Sequence, residues 1–175
     1  KTHEAAQDVI KNHVFVGFVD DFSALIQHET SLYILNYSDA FSELIYQLVI
    51  RGFANFGKIS FTKPLDIADL IQKYLDLIDI NDLQISNNID KDNIITGCVN
   101  ILNERSDMLN EYYSIKIENG KLLSIPVIIR NYLPDMTKLP QFLLRICSEV
   151  NWDDEYYCLN GISREIGNFY RRSKN

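Results

Sequence analysis

The sequence predicts an α+β fold: an antiparallel meander packed with helices, joined to a helical outer part that carries a β-hairpin. Three observations lead there. Residues 14–36 hold three short apolar runs separated by two-residue polar breaks, which is a strand pattern. From residue 37 onward apolar residues recur at helical spacing in several blocks. The pair Asn119-Gly120 sits between two apolar runs and supplies the two positive φ angles that a type I′ hairpin turn needs. Strands in a run followed by helices in a run mark an α+β domain, not alternating βαβ units.

The elements follow in order. Residues 4–12 read as a short leading helix, and 14–20 (VFVGFVD) as a strand ending in a tight Asp20-Asp21 turn. Residues 22–28 and 31–36 are two more strands, completing the meander. The stretch NYSD at 36–39 offers capping chemistry for a helix whose apolar stripe is Phe41, Leu44, Ile45, Leu48 and Val49, ended by Gly52 and Gly57. A strand at 58–61 stops at Pro64, and a helix covers 65–77. The asparagine-rich run 79–91 reads as a mobile loop and the best internal boundary. One long helix is expected over 92–112, then the hairpin 114–129, then a proline-containing loop over 131–138. Pro140 suits the first turn of a helix over 141–149, and Asn151 or Asp153 can cap a last helix over 154–170.

Composition narrows the function classes. The chain has 175 residues, 46% hydrophobic and 23% charged, enough to build a core without a disulfide or metal staple. Cys98, Cys147 and Cys158 are odd in number and widely spaced, the pattern of free thiols in a reducing compartment. No apolar run approaches the roughly 20 residues of a membrane span. A net charge of -7 disfavours a grip on DNA phosphates by this region. The chain starts at Lys1 without a methionine and reads as part of something longer.

No phosphate-binding, dinucleotide, HExxH, CxxC or GxSxG motif is present, so the sequence predicts no cofactor and assigns no catalytic or metal-binding residue. Of the histidines, His3 and His13 lie in or near the first helix, and His28 ends a strand. A Cys/His nucleophile pair stays open at this level, with His28 read as structural and the thiols as buried and inert. Asp153-Asp154-Glu155 has two readings. Acids at a helix start are favoured by its dipole. With Trp152, Tyr156 and Tyr157 beside them, they also suit a peptide bearing a basic residue and an aromatic anchor. Trp152, Asp154, Glu155 and Tyr157 are the docking candidates, with Glu155 foremost for a basic group. In the first strand both faces are apolar, Val14, Val16 and Phe18 against Phe15, Gly17 and Val19. The helix over 41–50 can cover only one of them. The other is either covered by the outer part or serves as a dimer seam with Val14, Phe15, Val16, Phe18 and Val19 as candidates.

Several stretches taken together resemble a known family: HVFVGFVD, LIQHETSLYILN, FSELIYQLVIRGFANFG, LPQFLLRICSEVNWDDE and REIGNFY. In this order, along nearly the whole chain, they are similar to the carboxy-terminal domain of the first eukaryotic MutL homologue, in the DNA mismatch-repair MutL family. The resemblance implies a dimerisation subdomain (1–62 with about 150–175) and an outer, regulatory subdomain (63–149). It implies a nuclear protein with an ATPase elsewhere in its chain. It also implies a non-catalytic domain that pairs with a nuclease-bearing MutL paralogue and binds short peptides of repair factors such as an exonuclease. Nuclease-bearing relatives carry Asp-Gln-His-Ala followed by two glutamates where a strand enters a helix. Here those positions fall on Asn36, Ser38, Ser42 and Gln47, poor ligands for a divalent ion. The rival readings are a MutL-type metal nuclease with atypical ligands and a generic scaffold with no repair role. The family continues into another helix and a tail that reaches the partner's nuclease site, whereas this sequence stops at Asn175.

Overall fold

The computed structural model describes residues 2–81 and 90–171. It is α+β. Helix α1 (Thr2–Asn12) leads into strands β1 (Val14–Phe18), β2 (Ser23–His28) and β3 (Ser31–Asn36), which form one antiparallel sheet in the order β1-β2-β3. The meander is as the sequence predicts. Helix α2 (Tyr37–Arg51) starts directly from β3 because the Asn36 side chain accepts from the Asp39 amide, a cap of about 1 kcal/mol.

Strand β4 (Gly57–Asp66) runs through Pro64 instead of stopping there. Its register against β6 (Lys121–Val127) jumps from Ser60↔Ser124 to Leu65↔Leu122, so Pro64 sits in a bulge where no amide is asked to donate. Strand β5 (Lys116–Glu118) pairs the other edge of β6 and gives a second sheet in the order β4-β6-β5. The Asn119-Gly120 turn has φ values of 50° and 72°, both positive as predicted.

Helix α3 (Ile67–Asn81) follows β4, so residues 79–81 of the predicted asparagine-rich loop are helical and Lys91 opens the next helix; residues 82–89 of that loop lie outside the described residues. The single helix expected over 92–112 is two, α4 (Lys91–Glu104) and α5 (Ser106–Tyr113). They break at Arg105, whose φ of -99° and ψ of 9° leave the helical region. A 3-10 turn at Met136–Lys138 leads into α6 (Leu139–Glu149), with Pro140 in its first turn. Helix α7 (Glu155–Tyr170) is capped by Asp154, not by Asn151 or Asp153: its side chain accepts from the Tyr157 amide.

One core joins Ile45 and Val49 of α2 to Ile162 and Ile166 of α7, Leu122 and Ile125 of β6, and Leu143 and Ile146 of α6. Tyr113 is fully buried there and donates to the Leu159 carbonyl at 2.7 Å. Helices α2 and α7 lie especially close. A Cβ added at Gly167 would stand 2.7 Å from the Ser42 carbonyl oxygen, so only glycine admits this approach.

Candidate functional site

The β1-β2-β3 sheet carries the most distinctive surface. Strict alternation would put Phe15 opposite Phe18, but β1 has a bulge between Phe15 and Gly17. Phe15 pairs with Ile26 and Phe18 with Ala24, so both rings stand on one face, 5.2 Å apart edge to face. This corrects the two-face division read from the sequence. On that face Ala24 and Ile26 are buried, and His28 meets Asp8 of α1 at 3.1 Å. The opposite face carries Val14, Leu25, Leu32 and Ile34 by the same pairing rule.

That second face is largely uncovered. Val14 is 64%, Leu32 62% and Ile34 71% exposed. The candidates Phe15, Val16, Phe18 and Val19 are each more than half exposed as well. Eight of the sixteen exposed large apolar side chains among the described residues fall between Val14 and Ile34. Scattered exposed apolar residues are ordinary, but these eight are concentrated on one small sheet and its first turn. Leu32, Tyr33 and Ile34 were absent from the sequence-based seam, although the LYI run in β3, apolar on both faces, already carried the signal.

The junction of β3 and α2 holds the four positions where nucleases of the family place ligands. Three of them have identified side-chain partners, each a different one. Asn36 exchanges bonds with Asp39, its carbonyl capping α2 and its amide donating at 2.6 Å. Ser38 is buried. Ser42 faces α7, where its hydroxyl reaches Asn168 at 3.5 Å. Gln47 is exposed and donates to Glu43 at 3.2 Å. That bond, with the Arg164 guanidinium at 2.9 Å, holds the Glu43 carboxyl below its ordinary range. Asn36 thus serves as a cap, Ser38 and Ser42 lie in packed surroundings, and Gln47 braces Glu43 on the surface of α2. Among the described residues no group of three or more His, Cys, Asp or Glu side chains is placed to hold a metal ion.

A second surface surrounds the start of α7. Trp152 packs against the core with its indole Nε1 buried. Asp154 is occupied as the cap, so Trp152 and Glu155 do not share a helical face. Glu155 is the first helical residue and exposed. Beyond it Tyr156 and Tyr157 are 70% and 61% exposed, their rings 5.4 Å apart edge to face. The structure therefore leaves three acids, Asp153, Asp154 and Glu155, exposed next to two exposed rings, with Trp152 packed against the core. The remaining thiols are buried or half-buried, with Cys147 Sγ 3.7 Å from the Cys98 carbonyl. No helix among the described residues is long and apolar enough to cross a membrane.

These features define an α+β domain of two small antiparallel sheets dressed by helices, one sheet left largely open to solvent. The sequence profile of the family described as "DNA mismatch repair protein Mlh1 C-terminus" matches residues 1–175, and the chain belongs to that family. It is 37% identical over 96% of its length to the DNA mismatch repair protein MLH1 of Saccharomyces cerevisiae, of which it covers 22%. It is 35% identical over 97% of its length to the DNA mismatch repair protein Mlh1 of Dictyostelium discoideum, covering 19% of that protein. A putative MutL protein homolog 1 of Schizosaccharomyces pombe is 30% identical over 96% of the chain, which covers 23% of it. The chain thus spans about a fifth of the length of these relatives.

Proposed function

We propose that this region is the non-catalytic dimerisation and docking domain of a nuclear mismatch-repair MutL subunit, whose ATPase lies elsewhere in the protein. The open face of the β1-β2-β3 sheet carries the proposal. Val14, Leu32 and Ile34 present apolar area that a soluble monomer rarely leaves bare. A MutL paralogue bearing the nuclease is the partner that the family relationship supports. In this reading the dimerisation subdomain is 1–62 with about 150–175, and 63–149 forms the outer subdomain.

Short peptides of repair factors, an exonuclease among them, dock beside α7, with Glu155 taking a basic group and Tyr156 and Tyr157 an aromatic one. The reading assigns no nuclease chemistry to Asn36, Ser38, Ser42 or Gln47, which present amides and hydroxyls where hard divalent ions prefer carboxylates. It assigns no DNA grip either, given the charge of -7.

Co-expression of the full-length protein with its MutL paralogue tests the main claim. Co-purification that survives high salt is expected, because apolar contacts are not screened. Association unaffected by charges placed at Leu32 and Ile34 would refute the seam. Manganese or zinc titration by calorimetry is expected to show no stoichiometric site, and plasmid nicking with manganese is expected to be absent. A one-to-one site lost on substituting residues 36–47 would favour the nuclease reading.

A further inference from the structure

The cleft between the start of α6 and the end of α7 differs in charge from the rest of the chain. It encloses about 220 Å³ and is lined by Lys138, Gln141, Arg145, Asn168 and Arg171, over Phe142 and Phe169. Those two rings stack at 4.6 Å and make a rigid floor. The lining holds three cations and one carboxylate, Glu165, in a chain whose net charge is -7.

We propose that this cleft binds a phosphorylated side chain of a peptide segment, its phosphoryl group held by Lys138, Arg145 and Arg171 and its apolar neighbour resting on Tyr132 and Leu133. The proposal is independent of the sheet seam and of the surface at Glu155.

The arginines are already oriented. Arg145 donates Nε and Nη2 to Glu165 at 2.6 and 3.0 Å, which fixes the guanidinium plane and leaves Nη1 outside that fork. Glu165 is buried, and Asn168 donates to it at 3.2 Å, so the supporting acid is committed beneath the cleft. Arg171 is pinned by Asp39 of α2 at 2.5 Å. Lys138 donates to the Arg171 carbonyl, which draws the ammonium and the backbone of Arg171 to one rim. Burial, together with the charge of Arg171, lowers the Lys138 pKa, while Asp135 partly offsets this. A dianion between the two cations reverses that repulsion.

Two further observations select the ligand. A phosphate run such as a DNA backbone is held by a stripe of cations, and affinity grows with the number of phosphates neutralised. This cleft is a single half-open pocket in an acidic chain, suited to one phosphoryl group. Beside it, the Tyr132 ring lies 6.0 Å from Tyr170, the residue preceding Arg171, and Leu133 is 63% exposed. That apolar shelf has no use for a free ion but fits a residue flanking a phosphoserine.

The test uses the full chain with three probes at matched ionic strength: a phosphoserine peptide with a leucine beside the phosphoserine, its unphosphorylated twin, and inorganic phosphate. Fluorescence anisotropy is expected to show saturable binding of the phosphopeptide and none of the twin. Lys138→Gln is expected to weaken it about tenfold or more, the usual effect of losing a charged hydrogen bond. Lys73→Gln, at an exposed cation paired with Asp69 on α3, should leave it unchanged. Leu133→Ser should weaken the peptide but not inorganic phosphate. Circular dichroism melting confirms that each variant folds. Equal binding of the twin overturns the proposal, as does an equal effect of Lys138→Gln and Lys73→Gln. Phosphopeptide binding no tighter than inorganic phosphate removes the peptide from it. Displacement of the phosphopeptide by a short DNA duplex more readily than by phosphoserine would assign the cleft to nucleic acid and overturn the proposal too.

Discussion

Two isoleucines on neighbouring strands of one sheet separate the seam from the core. Ile34 on β3 is 71% exposed, and Ile26 on β2 is 2% exposed. Full burial of such a side chain contributes about 1.5–3 kcal/mol. A partner covering Ile34 therefore recovers roughly 1–2 kcal/mol of that, since most of the side chain is still wet in the lone chain. Ile34→Ala is expected to raise the dissociation constant with the MutL paralogue by about 5–30-fold. Its effect on melting should stay within about 2 °C, because exposed substitutions rarely exceed 0.5 kcal/mol. Ile26→Ala removes a buried side chain and leaves a cavity, for a stability loss of about 2–5 kcal/mol. Sedimentation with the purified partner gives the affinities, and calorimetric melting of the lone chain gives the stabilities. If Ile34→Ala melts as low as Ile26→Ala with unchanged partner affinity, the face is covered within the monomer and the reasoning fails.

Other perturbations probe the scaffold. Gly167→Ala forces the α2–α7 approach apart and is expected to cost about 1–3 kcal/mol by chemical denaturation, whereas Gly97→Ala, where nothing lies within 4 Å, should not destabilise. Tyr113→Phe removes a hydroxyl shared between Leu159 and Ser163 and is expected to cost about 1 kcal/mol. Burial raises the Tyr113 pKa, so its contribution is complete below the ordinary tyrosine value of about 10 and is lost as pH rises above it. The alkaline limb of the stability profile should therefore flatten in the phenylalanine variant. Asp154→Ala loses the α7 cap, for about 1 kcal/mol of stability. Glu155→Ala should leave melting nearly unchanged while weakening aromatic repair peptides by about 1.5–3 kcal/mol, and equal peptide binding by wild type and variant would remove Glu155 from the site.

Local signals made much of this fold legible. The Asn119-Gly120 turn, the Asn36 cap and the three short apolar runs each act over a few residues, and each stands where the sequence placed it. Non-local facts were hidden. The pairing of β4 with β6 carries Pro64 through a bulge, which propensity alone reads as a stop. The bulge at Val16 reassigned every later residue of β1 to the other face, a shift that strict alternation cannot foresee. The break at Arg105 has no proline or glycine to announce it, and helical periodicity runs on through it. The cation cleft was invisible because Arg171, at the end of α7, meets Lys138 and Arg145 of the α6 region only when the two helices pack.

The α2–α7 joint has a bearing on the birth of the chain. Arg164 and Glu43 pair across 121 residues, and Ser42 and Asn168 across 126. At the usual pace of synthesis that interval lasts about 6–25 s. For most of it the meander and α2 have been made, while the helix that packs on Ile45 and Val49 has not. The nascent protein therefore shows two apolar surfaces at once, one destined for its own core and one, the sheet face of Val14, Leu32 and Ile34, that stays open in the finished chain. Only completion of the last helix covers the first of these surfaces, so until then the order of synthesis keeps the core side of α2 as open as the sheet.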